Sequence, residues 1–238
     1  MDEFRICSVV DLLARLKQCE PYRMFRGQAC AEWPLVPAMG RMHRVLGRYE
    51  GWHAVEADLL ERFQKYARPF LPKEPVNRLE WLVIAQHYGL PTRLLDWTTN
   101  PLKALFFAVE NPCNVDDGVL WGLEPLAWWN HMSASEQHLD ETDKLVAYFP
   151  DHVNQRVSNQ ESCFTLFPFP ADASPILSLD NPDRYDEHIG RLAKFIVPVD
   201  YKKDVRLELQ KLGVTHRSMF PGLDGLAKSI RREMELDW

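Results

Sequence analysis

Residues 77–110 constrain the fold more than any other stretch, because they punctuate three elements in a row. A helix is expected over 77–88, with Gly89 suited to the left-handed position after its last turn and Pro91 just beyond, where helices stop. Thr92-Arg93-Leu94-Leu95-Asp96-Trp97 then reads as a strand. Asn100-Pro101 follows as N-cap and first position of a helix over 102–110, which is apolar nearly all round and therefore buried. This succession commits the chain to mixed α and β structure.

The flanks extend the pattern. Ser8 and Asp11 are placed to cap an N-terminal helix within residues 8–20, ending before Pro21. Residues 22–27 form a short strand ending on a glycine, and the prolines of Trp33-Pro34-Leu35-Val36-Pro37 favour extended backbone. Val55, Leu59, Leu60 and Phe63 recur at helical spacing in a long amphipathic helix over 49–66, ended by Pro69 and Pro72. Strands are expected over 118–123, 164–169 and 193–199, a helix over 204–212 ending at Gly213, and a closing helix over 226–235. Residues 127–151 read as a polar, partly helical insertion over the surface. With no repeat, low-complexity tract or linker, the 238 residues are expected to form one α+β domain. Its architecture is a small mixed or antiparallel sheet packed with several helices.

Composition limits the function classes. A net charge of −6 supplies no basic field to coat a nucleic-acid backbone, so any such contact must be local. The five cysteines are scattered, with no Cys-x-x-Cys and no zinc-ligand spacing, which predicts reduced thiols and no metal. The start lacks the basic and apolar regions of a signal peptide, and no run approaches the roughly 18 apolar residues of a membrane span. The expected location is the cytoplasm.

Chemistry concentrates in residues 81–110. Gln86, His87, Tyr88, Arg93, Asp96, Thr98 and their neighbours crowd an amide, an imidazole, a phenol, a guanidinium, a carboxylate and two hydroxyls into one helix end, turn and strand. Strand alternation sends Arg93, Leu95 and Trp97 to one face and Leu94, Asp96 and Thr98 to the other. Taken singly, each has a structural role available: Asp96 as a cap, Arg93 paired with a distant carboxylate, His87 as a core imidazole. Taken together, so many polar groups are expected to serve a site, since each buried one needs a partner. Phe25-Arg26-Gly27 is the second feature. An arginine at a strand end can grip a phosphate or carboxylate, and the glycine lets a ligand or a second backbone come close. A salt bridge beside a turn glycine is the plainer alternative.

Read together, these motifs resemble the bacterial FRG domain. The resemblance rests on Phe25-Arg26-Gly27, on Trp33-x-Leu-x-Pro37, and on Ala85-Gln-His-Tyr-Gly-Leu-Pro-Thr-Arg-Leu-Leu-Asp-Trp-Thr-x-Asn-Pro-Leu-x-Ala-Leu-Phe-Phe-Ala108. It continues in Arg156-Val-x-x-Gln160-x-Ser-x-Phe164-Thr165 and Phe220-Pro-Gly-Leu-Asp224-Gly-Leu-Ala227, and so spans nearly the whole chain. Ser162 stands where that pattern has glycine, and Gly222 where it often has aspartate.

An aromatic-Arg-Gly at the end of an early strand is also similar to the first motif of the arginine-type ADP-ribosyltransferases, and implies a related fold and NAD as substrate. On that resemblance Arg26, flanked by Phe25 and Gly27, grips the phosphates, and Tyr88 or Trp97 stacks on a ring. Gln86, His87, Arg93 and Asp96 frame the pocket, and either Thr98-Thr99 or Phe164-Thr165 supplies the hydroxyl motif beside Gln160. The acid is Asp96, Glu161 or Asp224, with a cap or turn role open to Asp224. The implied activity is that of an ADP-ribosyltransferase or NAD glycohydrolase, an intracellular effector in toxicity or phage defence. A protein or nucleic-acid acceptor and a neutralising partner would accompany it, and a membrane would not. The competing readings are a non-catalytic module that binds a nucleotide, nucleic acid or protein through Arg26, Arg93 and Arg156, and a scaffold with a hydrophobic patch around Trp128 and Trp129.

Overall fold

The computed structural model describes residues 1–19, 21–71, 73–110, 115–129, 139, 144–150, 160–181 and 188–234, without the side chains of residues 43, 45, 224, 232 and 233. Most of the expected 127–151 insertion, Arg156 and the side chain of Asp224 lie outside what is described.

Eight strands form one mixed sheet: β1 (Asp2–Arg5), β2 (Met24–Gln28), β3 (Leu94–Thr98), β4 (Gly118–Pro125), β5 (Trp128–Trp129), β6 (Val146–Tyr148), β7 (Ser162–Leu166) and β8 (Ile189–Val197). Their order is β1-β8-β4-β2-β3-β7-β6-β5, and β1 runs parallel to β8, so the first and last strands in the chain pair side by side. Seven α-helices are described: α1 (Val9–Gln18), α2 (Trp52–Ala67), α3 (Arg78–His87), α4 (Pro101–Val109), α5 (Lys202–Lys211), α6 (His216–Met219) and α7 (Leu223–Glu233). The α+β expectation holds. No described helix is long and apolar enough to cross a membrane.

Side-chain caps open four of the seven described helices, α1, α3, α4 and α6. Ser8 accepts from the Asp11 amide, Asn77 from the Glu80 amide, and Asn100 from the amides of Leu102 and Lys103. Helix α2 begins three residues later than its apolar spacing suggests, because Gly51 adopts φ +137° and breaks the backbone before Trp52. Helix α7 begins three residues earlier, at Leu223, after Gly222 at φ +106°.

The strands divide two packing layers. On one face Phe25, Leu120, Phe195 and Val197 meet α1, α4 and α5, while Leu94, Phe164 and Leu166 meet α3 through Leu79, Leu82 and Val83. On the other face Met24, Leu95, Trp97 and Trp121 pack with Leu35, Trp52 and Ile176. The expected alternation along β3 is therefore present. The surface insertion needs correction at both ends: Trp128–Trp129 and Val146–Tyr148 are paired strands, and the latter three residues are fully buried. The polar residues between them obscure the short β-forming run Val146-Ala147-Tyr148. Two further elements, β1 and α6, are too short to carry a periodic signal.

Candidate functional site

The cleft arises where β2 and β3 part. Among the described residues Phe25 and Thr98 are their single registered pair. Past it, Arg26 bridges the opening, its Nη1 donating to the Asp96 carbonyl at 2.7 Å. A cavity of about 290 Å³ lies here. Its walls come from β2 (Phe25, Arg26, Gly27), the end of α3 (Gln86, His87), β3 (Asp96, Trp97, Thr98), α4 (Phe107) and the start of β7.

Its two charged groups are sparingly used. Arg26 Nε is closed off from solvent and has no hydrogen-bond partner among the described residues. Burial pushes the Arg26 guanidinium below its ordinary value; the Asp96 carboxylate pulls it back up, and Arg41 adds to the lowering. An arginine remains charged under either influence. Asp96 is an exposed residue inside an otherwise buried strand. The described structure gives its carboxylate no hydrogen bond and no ion pair.

The polar neighbours are partly spoken for. Gln86 Oε1 accepts from the Thr92 hydroxyl, which leaves its amide nitrogen for the cleft. Gln160 Nε2 donates to the Met219 carbonyl at 3.3 Å, and its backbone carbonyl accepts from Thr98 Oγ1 at 2.6 Å. Gln160 thereby fastens the cleft to α6. His87 closes the end of α3 edge-on to Tyr88.

Several expected site residues stand elsewhere. Tyr88 is 67% exposed and outside the cleft lining. Trp97 borders the cleft, but its indole is buried in the opposite core, with Nε1 donating to Thr165 Oγ1 at 3.0 Å. Arg93 is fully buried, 3.0 Å from Glu56 and stacked 4.3 Å over Phe169, the distant-carboxylate arrangement. Cys163 is buried, and burial raises its thiol well above the ordinary range, with Asp96 adding to the rise, so it remains an inert thiol.

Glu161 stands at φ +50°, the one described non-glycine residue in the left-handed region, beside Ser162, which opens β7. Its carboxylate binds Lys103 Nζ at 2.7 Å and takes longer hydrogen bonds from Thr99 and Asn100 at the start of α4. The hydrogen bond from Lys103 is the main reason its carboxyl lies below the ordinary value. A carboxyl lowered on folding stabilises the fold above its unfolded pKa, and that contribution fades as pH falls. Lys103→Met should therefore destabilise the protein near neutrality and converge on wild type below about pH 4. Urea midpoints across that range measure the convergence.

Phe107 was not among the residues expected at the site. It is the partly exposed aromatic of the cleft, and it hid inside a helix that reads as uniformly apolar. The signal was available: a helix apolar all round cannot bury every side against one sheet face.

Gly27 has a different duty from Arg26. A Cβ there would lie 1.8 Å from the Ala104 carbonyl oxygen and 2.7 Å from the Ala108 amide nitrogen. The close approach it permits is that of a second backbone, α4. Among the described residues no group of three or more His, Cys, Asp or Glu side chains is placed to hold a metal ion.

Residues 22–117 match the family model of the FRG domain, which supports the FRG reading of that stretch. The match contains Arg26, Gln86, His87, Asp96 and Phe107, while Gln160 and α6 lie beyond it. No curated protein and no solved structure matches the chain.

Proposed function

We propose that the cleft binds NAD and cleaves the bond between nicotinamide and its ribose, passing ADP-ribose to water or to an acceptor. The observation that carries this reading is the pairing, in one cleft, of an incompletely satisfied arginine with a carboxylate that has no hydrogen bond or ion pair among the described residues. Arg26 supplies charge-assisted hydrogen bonds to a phosphate. Phe107 offers a ring face to nicotinamide.

The bond that breaks is C1′–N. Its electron pair leaves with nicotinamide, positive charge develops on the ribose, and an incoming oxygen closes the vacancy and loses a proton. Asp96 stabilises the developing cation as a fixed negative charge in the wall of the cleft. His87 takes the proton of the incoming water. Gln86 and Gln160 hold the ribose hydroxyls. An activity that depletes NAD suits an effector that arrests its own cell, as a toxin or a defence against phage.

Incubation of the purified protein with NAD, with and without cell extract, reads nicotinamide release directly. Asp96→Asn should lower release about a hundredfold, on the scale of losing one preorganised electrostatic group, while nucleotide binding persists. Absence of release from the wild type at high enzyme concentration in both arms removes the reading. A binding module is then favoured if Asp96→Asn keeps the cellular phenotype that Arg26→Ala abolishes.

A further inference from the structure

The 290 Å³ lobe is small for a dinucleotide, since pockets for whole ligands run from about 300 to 1,000 Å³. A second lobe of about 460 Å³ lies against it and shares Arg26, Gly27 and Phe107. Its other walls include Arg41, Trp33 and Glu110. The two lobes thus adjoin along Arg26, Gly27 and Phe107.

The second lobe has a charge pattern that its own side chains leave unbalanced. Arg41 donates only to the Val36 carbonyl, at 3.3 Å, as Arg26 donates only to the Asp96 carbonyl. Neither arginine forms an ion pair with a described residue. They are close enough for Arg41 to disfavour the charged form of Arg26. The carboxylate lining this lobe, Glu110, lies 3.7 Å from His216. Two adjacent guanidinium groups, of which Arg26 alone feels the Asp96 carboxylate, repel each other and favour an anion that joins them.

The position of Arg41 is built into the fold. It ends a 3-10 turn over Met39–Arg41 whose first amide donates to the Thr92 carbonyl at 3.2 Å. Met39 is buried, and a Cβ on Gly40 would lie 2.6 Å from Val36 Cγ2. The turn is thus tied to the segment just ahead of β3. Trp33 is 49% exposed, a large indole left at the mouth of the same lobe. Gln28 fixes the segment beneath it: Gln28 Oε1 accepts from Trp121 Nε1 at 2.8 Å, and Gln28 Nε2 reaches the Pro34 carbonyl.

We infer that the second lobe is the subsite for the diphosphate and adenosine half of a dinucleotide, with Arg26 and Arg41 sharing the diphosphate and Trp33 stacking on the purine. This placement rests on the NAD reading and adds the half that the first lobe cannot hold. A diphosphate supplies two adjacent negative charges to two adjacent guanidinium groups, and an indole face suits any purine. The inference concerns a free nucleotide; the acidic chain as a whole provides no extended basic track for a polymer.

Calorimetric titration of the full chain with ADP-ribose, ADP and nicotinamide mononucleotide tests it. Arg41→Ala and Trp33→Ala should each weaken ADP-ribose and ADP about tenfold to a hundredfold, with urea midpoints unchanged. Nicotinamide mononucleotide should be insensitive to Trp33→Ala. ADP-ribose affinity unchanged in both variants, in protein where Arg26→Ala still abolishes binding, overturns the placement and leaves the NAD reading intact. ADP bound through Arg26 and Arg41 by a protein that releases no nicotinamide supports the placement and removes the hydrolytic reading. Wild type that binds neither ADP nor ADP-ribose overturns both.

Discussion

Gly27→Ala is expected to destabilise the protein by about 3 kcal/mol or more and to leave little folded material, the upper end of what overpacking costs. The added Cβ would stand 1.8 Å from one backbone atom of α4 and 2.7 Å from another. No side-chain rotation relieves a clash with backbone, so α4 must lift off the sheet. It is held down a second time by Gly118 on β4, where a Cβ would meet the Ala108 carbonyl at 2.3 Å. Lifting α4 therefore breaks contacts along both strands and exposes Leu105 and Phe106, which are buried there. Gly47→Ala is the control, because nothing lies within 4 Å of its added carbon and its φ is ordinary. That variant should be neutral or slightly stabilising, since alanine restricts the unfolded chain. Thermal unfolding of the two variants and of Arg26→Ala separates the roles within Phe25-Arg26-Gly27. Gly27→Ala should lose the fold, whereas Arg26→Ala should keep the fold and lose the ligand. Equal melting temperatures for Gly27→Ala and wild type would contradict the close seating of α4.

This division shows what kind of information the sequence carries legibly. Local rules worked where the cause was local. Ser8, Asn77 and Asn100 cap their helices because each is a short polar side chain just ahead of an apolar run. The dense polar segment before α4 was recognisable because a strand has no local need for it, and Gln86, His87, Asp96 and Thr98 do converge on the opening beside Arg26. What stayed hidden depended on partners distant in the chain. Arg93 and Asp96 look equally functional in sequence, but alternation along β3 turns one into the core and the other into the cleft. Which face holds the cleft is settled by how α3 and α4 pack, and no spacing within the strand reveals that. Trp97 and Tyr88 were plausible stacking residues on composition alone. Burial removes the first and exposure outside the cleft removes the second, and Phe107 is left in the wall. Arg41 carries no local signal at all; only the folded chain brings it beside Arg26.

Glu56→Ala should cost about 3–5 kcal/mol, because it removes the carboxylate of a buried ion pair. Arg93 has no exposed surface and lies 3.0 Å from Glu56, which is itself 1% exposed and also receives Arg78 at 2.9 Å. The three side chains join α2 to α3 and β3, the two elements that carry His87 and Asp96 into the cleft. Removing the carboxylate takes the paired charge from a guanidinium in the core that also stacks on Phe169, 4.3 Å from the ring centroid. Removing both charges is a different matter. A Glu56→Met, Arg93→Met double variant eliminates the buried cation as well and keeps the volume, so it should recover most of the loss. Arg78, 20% exposed, can turn its charge to water in that background. Urea unfolding of the two single variants and the double variant closes the cycle, and the coupling should far exceed that of an exposed ion pair, about 0.2–1 kcal/mol. A small coupling would mean that Arg93 is stabilised from elsewhere. A double variant that folds but still binds ADP-ribose normally would establish that Arg93 supports the cleft from behind without touching what it holds.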